Sequence, residues 1–112
     1  MLVVEDDGDI ASLLSEILET EGYAPVVVSD TTDIDEQLDP PPDLVVLDLH
    51  LTRGGAGHIL TALRARGMGD VPVLLLSAAT DLAERARDLG VTSYLGKPFE
   101  LEELLVIVRR LA

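Results

Sequence analysis

Four short apolar runs in this sequence each lead into a side chain capable of chemistry. LVV is followed by Glu5, Asp6 and Asp7. LVVLDLHL, residues 44–51, carries Asp48 and His50. VPVLLLS ends in Ser77, and VTSYLG is followed by Lys97 and Pro98. A carboxylate inside a run of Val and Leu is costly unless it is paired, protonated, placed at the exposed end of its strand, or functional. Two or three carboxylates brought together make a hard-oxygen site suited to Mg²⁺. A carboxylate beside such a metal can attack a phosphoryl group and become an acyl phosphate. The metal and a lysine would offset charge on the phosphoryl oxygens, and a serine hydroxyl could hydrogen-bond the product. Each residue also has a plainer reading: Asp48 as a cap or solvated loop residue, Ser77 as a strand terminator, Lys97 as a surface charge. His50 reads as a surface histidine, because one imidazole among carboxylates makes a poor Zn²⁺ site. The chemistry is carried by the set, in which Lys97 is the only lysine of the chain.

Those residues need elements to position them. Residues 2–5, 24–29, 43–48, 71–77 and 91–96 read as strands from their apolar and β-branched runs. The 43–48 run is apolar enough to be buried on both faces. Helices are predicted over 9–22, with Ile10, Leu13, Leu14, Ile17 and Leu18 at helical spacing, and over 32–38, a short one closed by Pro40, Pro41 and Pro42. Further helices are predicted over 58–67, 81–90 and 100–112. Asp9 and Asp81 read as N-caps, and Gly22 and Gly90 as C-terminal stops. The last helix has its acids first and its arginines last, which matches the helix dipole. The stretch TRGGAG, 52–57, reads as a loop. Strict β-α alternation repeated five times predicts a doubly wound α/β domain: a parallel sheet with helices on both faces and right-handed crossovers. The C-terminal strand ends then line one edge, where open α/β sheets bind ligands. Asp48 falls there with the acids after the first strand, Ser77 and Lys97.

Composition narrows the function classes. At 112 residues and nearly half apolar, the chain is expected to form one folded domain, 1–112. No cysteine is present, so disulfides and thiolate metal sites are excluded. A net charge of −13 argues against direct contact with nucleic acid or an anionic membrane. No run reaches membrane-spanning length and no signal peptide is read, so a soluble cytoplasmic domain is the expectation.

In these residues the chain resembles the receiver domain of bacterial two-component response regulators. LVVEDDGDIASLLSEILETEGY, DLVVLDLHL, VPVLLLSA and GVTSYLGKPFELEELL stand in family order at near-family spacing. The resemblance implies a flavodoxin-like, three-layer (βα)5 fold with strand order 2-1-3-4-5. It also implies Mg²⁺-dependent transfer of phosphate to Asp48 from a sensor histidine kinase or a histidine phosphotransfer protein. Carried over by position, Glu5 and Asp6 are the metal-binding pair, and Asp7 merely follows them. His50 offers its backbone carbonyl to the metal. Ser77 contacts the phosphoryl group, Lys97 is the site lysine, and Pro98 follows it through a bond usually cis. Tyr94 matches the aromatic switch residue that moves with Ser77, and reads equally as a half-buried strand aromatic. His50 and Ala79, two residues beyond Asp48 and Ser77, would flank the phosphoryl group and set its lifetime.

There are departures. Thr52 stands where the family usually has Pro, and Ala56, between Gly55 and Gly57, where it often has Gly, so an unusual loop path is expected after Asp48. The family usually has a few more residues ahead of Leu2. Thr92 and Ser93 replace the two acids that help build a dimer in many transcription-factor receivers. The expected role is phosphorelay signalling by a domain that catalyses its own phosphorylation and dephosphorylation rather than by a turnover enzyme. Output would pass to a downstream effector protein or an output domain beyond these residues. Two other readings compete: a receiver-fold binding module that is never phosphorylated, and a phosphatase of the haloacid dehalogenase type. The first should have lost an acid, the phosphoacceptor or the lysine, and the second needs an Asp where His50 stands.

Overall fold

The computed structural model describes residues 1–29, 34–49, 55–78 and 80–112. Five strands and five helices alternate along the chain: β1 Leu2–Val4, α1 Gly8–Thr20, β2 Val26–Val28, α2 Ile34–Gln37, β3 Val45–Asp48, α3 Gly55–Ala65, β4 Val73–Ser77, α4 Leu82–Leu89, β5 Ser93–Gly96 and α5 Leu101–Leu111. All four strand pairings are parallel, in the order β2-β1-β3-β4-β5. This is the doubly wound architecture and strand order expected from the sequence.

The strand runs are continuous rather than alternating because both faces of the sheet are covered. Successive residues point to opposite faces, so β1, β3 and β4 each feed two cores, while β2 at the sheet edge leaves Val26 and Val27 exposed. Val3, Val46, Leu74 and Leu76 pack with Leu14 and Leu18 of α1 and with Leu104 and Val108 of α5. Leu2, Val4, Val45, Leu47 and Leu75 pack on the other side with Ile34 of α2, Ile59, Leu60 and Leu63 of α3, and Leu82 and Ala86 of α4. Burying one such Leu contributes about 1.5–3 kcal/mol.

Two local expectations are corrected. Helix α1 is capped by Asp7, not Asp9: the Asp7 carboxylate accepts from the backbone N–H of Asp9 at 3.0 Å and of Ile10 at 3.2 Å. Helix α3 begins at Gly55, inside the stretch read as loop, because Ala56 is buried against the core and draws the first turn onto the sheet. Asp81 holds the expected N-cap position of α4 but makes no side-chain capping bond; its carboxylate lies 3.9 Å from Arg85. Gly90 does close α4, in the left-handed conformation (φ 75°) that glycine adopts at no steric cost. Residues 50–54, with His50 and Thr52, and Ala79 lie outside the described residues.

Candidate phosphoacceptor and metal site

The parallel register brings the polar strand ends together. Asp48 is the last residue of β3 and sits beside Leu76 of β4; Ser77, the last residue of β4, sits beside Gly96 of β5. The backbone N–H of Lys97 donates to the Ser77 carbonyl at 2.8 Å, and that of Glu5 to the Val28 carbonyl at 3.1 Å. Sheet hydrogen bonding therefore fixes where each of these side chains leaves the backbone. Glu5, Asp48 and Ser77 are the buried polar residues among those described, and Asp6 is half-buried.

Glu5, Asp6 and Asp48 each offer a carboxylate oxygen, and the three oxygens lie within 4.8 Å of one another. Ligands on opposite sides of a Mg²⁺ ion are about 4.2 Å apart, so this set fits a hard divalent cation after a small closure. Asp7 is outside the cluster, its carboxylate committed to capping α1. Lys97 supplies the cation: its Nζ donates to both Glu5 oxygens, at 3.1 and 3.2 Å, and stands 3.7 Å from Asp48 Oδ1. The Lys97–Pro98 peptide bond is cis. Tyr94 lies on β5 with its side chain 43 % exposed, two residues before the partner of Ser77.

Burial pushes the Glu5 carboxyl above its ordinary value of about 4.5, and the nearby Asp48 charge adds to the rise. The Lys97 bond pulls the other way without cancelling it. A raised folded-state value means that the folded chain binds more protons than the unfolded one above that ordinary value. Stability therefore falls as pH rises from there through the raised value. The expected result in metal-free buffer is a melting temperature that declines over this window and a flatter profile for Glu5→Gln. Parallel profiles for the two proteins would show that Glu5 does not titrate in the folded state as described.

Sequence reasoning missed one feature beside the site. Ile10 and Leu13 of α1, with Ala78, Pro98 and Phe99, line an apolar depression of about 340 Å³ that reaches Lys97. Both α1 residues read as core from their spacing, yet Leu13 is 52 % exposed. The signal was present: α1 carries five large apolar residues where burial of Leu14 and Leu18 needs a narrower stripe.

The response regulator receiver domain family model matches residues 1–109. The chain is 34% identical over 113 residues to the phosphate regulon transcriptional regulatory protein PhoB of Klebsiella pneumoniae, covering 97% of this chain and 49% of that protein. It is 37% identical over 114 residues to the response regulator MprA of Mycobacterium sp. (strain KMS), covering 99% and 49%. The chain thus spans about half the length of the curated relatives it matches. Among solved structures, the receiver domain of NtrX from Brucella abortus superposes with a TM-score of 0.86 at 28% identity, over 97% of this chain and 94% of that one.

Proposed function

We propose, since this chain belongs to the response regulator receiver domain family, that it takes part in two-component phosphorelay with Asp48 as the phosphoacceptor. The donor is a phosphohistidine of a sensor histidine kinase or a histidine phosphotransfer protein. An Asp48 oxygen attacks phosphorus as the N–P bond breaks, an O–P bond forms, and the electron pair of the broken bond returns to the imidazole of the donor. Glu5, Asp6, Asp48 and the backbone carbonyl of His50 would hold Mg²⁺, which when bound neutralises charge on the phosphoryl oxygens. The Lys97 ammonium, already between Glu5 and Asp48, leans onto the new phosphoryl group, and Ser77 hydrogen-bonds it. Tyr94 follows Ser77 and alters the surface that a downstream effector or output domain reads. Residues 1–112 form this receiver domain; it acts in the cytoplasm as a signalling domain that catalyses its own phosphorylation. By its position two residues after Ser77 in the sequence, Ala79 would help set the lifetime of the phosphoryl group.

The observation that carries this reading is the meeting of three carboxylates and one ammonium at the ligand-binding edge of the sheet, with the lysine in contact with two of the acids. Among the described residues no helix is long and apolar enough to cross a membrane. The test is intact mass after incubation with acetyl phosphate and Mg²⁺. One phosphoryl adduct mapped to Asp48 is expected. No adduct would favour the non-phosphorylated binding module, and rapid turnover of many phosphate esters the phosphatase.

The apolar depression beside Lys97 suits a protein donor, which must present its phosphohistidine there. Leu13→Asp should lower the rate of transfer from a phosphorylated donor protein about tenfold. Labelling by acetyl phosphate, which has no docking surface, should not change. Equal losses with both donors would place the effect in the site rather than on the surface.

A further inference from the structure

A short connection leads from Ser77 into α4, so a rearrangement at Ser77 acts on the N-terminal end of this helix, whereas its C-terminal end leads into β5. This helix is thinly anchored. Of its eight residues only Leu82 and Ala86 are buried, whereas α3 buries Ala56, Ile59, Leu60 and Leu63. Elements with few buried apolar side chains open most easily. At its C-terminal end, however, α4 has a polar tie. The Arg64 side chain of α3 donates through Nη2 to the Leu89 carbonyl at 2.9 Å, across 25 residues of sequence.

Leu89 offers one of the last-turn carbonyls that no N–H of the helix itself can reach. The one backbone N–H of the Gly90 cap donates to the carbonyls of Ala86 and Arg87 instead. The guanidinium also places a cation at the negative end of the helix dipole. Gly90 leaves room for the approach: a Cβ there would come within 3.3 Å of Arg64 Nη2, and the guanidinium would have to give by a few tenths of an ångström. Behind this tie, Leu63, Met68, Val71, Val91 and Leu111 line part of a cavity of about 220 Å³ that Arg64 and Gly90 border. The tie therefore stands at the rim of an open depression between α3 and the start of β5, which no residue of α4 itself lines.

We propose that Arg64 is a latch that holds α4 to α3 in the arrangement described here and opposes the shift that phosphorylation of Asp48 drives through Ser77. The proposal rests on the phosphoacceptor reading above and adds the element that sets how readily the site switches. Arg64 touches neither Asp48 nor the phosphoryl group; it acts through α4, as a positioning residue. Its loss frees α4 and makes the labelled arrangement easier to reach.

The experiment compares wild type, Arg64→Ala and Arg64→Lys as the 112-residue chain. Amide hydrogen exchange is followed in α4 and in α1 as an internal control, together with the rate of labelling by acetyl phosphate and Mg²⁺. Loss of one charge-assisted bond should speed exchange in the last turn of α4 about fivefold in Arg64→Ala, with α1 unchanged. Labelling should accelerate by a similar factor or less. Arg64→Lys keeps a cation and a donor, and should restore most of both effects. Unchanged α4 exchange in Arg64→Ala overturns the latch. Faster exchange with unchanged labelling overturns its link to switching. If wild type takes no label at all, the phosphoacceptor reading fails, and the latch is then judged on exchange alone.

Discussion

Asp48→Asn is expected to take no phosphoryl label from acetyl phosphate or from a protein donor, while melting higher than wild type in EDTA. The first effect follows from loss of the attacking oxygen, since an amide cannot form the acyl phosphate. The second follows from charge. Glu5, Asp6 and Asp48 offer oxygens within 4.8 Å of one another, with Lys97 as the cation paired to two of them. Removing one carboxylate charge relieves repulsion while keeping the shape, a gain on the order of 1 kcal/mol. Mg²⁺ at about ten times its dissociation constant should stabilise wild type by about 1.4 kcal/mol. For a domain of this size that is about 5 °C in melting temperature, and Asp48→Asn should gain less. Thermal unfolding of both proteins with EDTA and with Mg²⁺, at fixed ionic strength, checks this. A variant that melts lower in EDTA and gains as much from Mg²⁺ as wild type would show that these carboxylates do not act as one site.

Lys97→Ala should have the largest effect on stability. Its Nζ bonds both oxygens of the buried Glu5 carboxylate. Truncation leaves that carboxylate without its cation in a site that already resists ionisation. Breaking a buried pair costs about 3–5 kcal/mol, and the partial exposure of Lys97 reduces the expected loss to about 2 kcal/mol. Without the ammonium the Glu5 carboxyl rises further, so the deficit should be small where the carboxyl stays protonated in both states and grow as pH rises above its ordinary value. The same substitution made in Glu5→Gln should cost much less, because the charge being abandoned is gone. An equal cost in both backgrounds would assign the loss to packing of the lysine stem. The function should suffer too: beryllofluoride, a phosphoryl mimic, should no longer alter the Tyr94 signal in Lys97→Ala. A response like that of wild type would remove Lys97 from the switch.

The fold was legible because its strongest signals are local. The runs around Val46 and Leu75 are too apolar for anything but strands covered on both faces, and the helical spacing of Leu14 and Leu18 is equally plain. The order of polar strand ends was legible as well, since a parallel sheet places them on one edge whatever the loop details. What escaped depended on distant partners. Asp7 and Asp9 were both chemically able to cap α1; the choice was settled by where Ala11, Leu14 and Leu18 dock on the sheet. Gly55 starts a helix because Ala56 finds a buried place. Leu13 looked like core until the neighbouring elements left it uncovered. The reach of Arg64 to Leu89 has no local signature at all.

The bond between Lys97 and Glu5 closes a loop of 92 residues. Such a contact is among the last that a chain can profit from, because the entropy of closing the loop must be met by everything folded in between. A nascent polypeptide that has released only its first four strands would present carboxylates with no ammonium among them. Readiness to receive a signal would then arise late and all at once, when the fifth strand docks beside the fourth. Chains still emerging, or arrested partway, would be silent bystanders that do not draw phosphate away from finished molecules. On the phosphoacceptor reading proposed above, the long-range ion pair would tie competence in signalling to completed assembly.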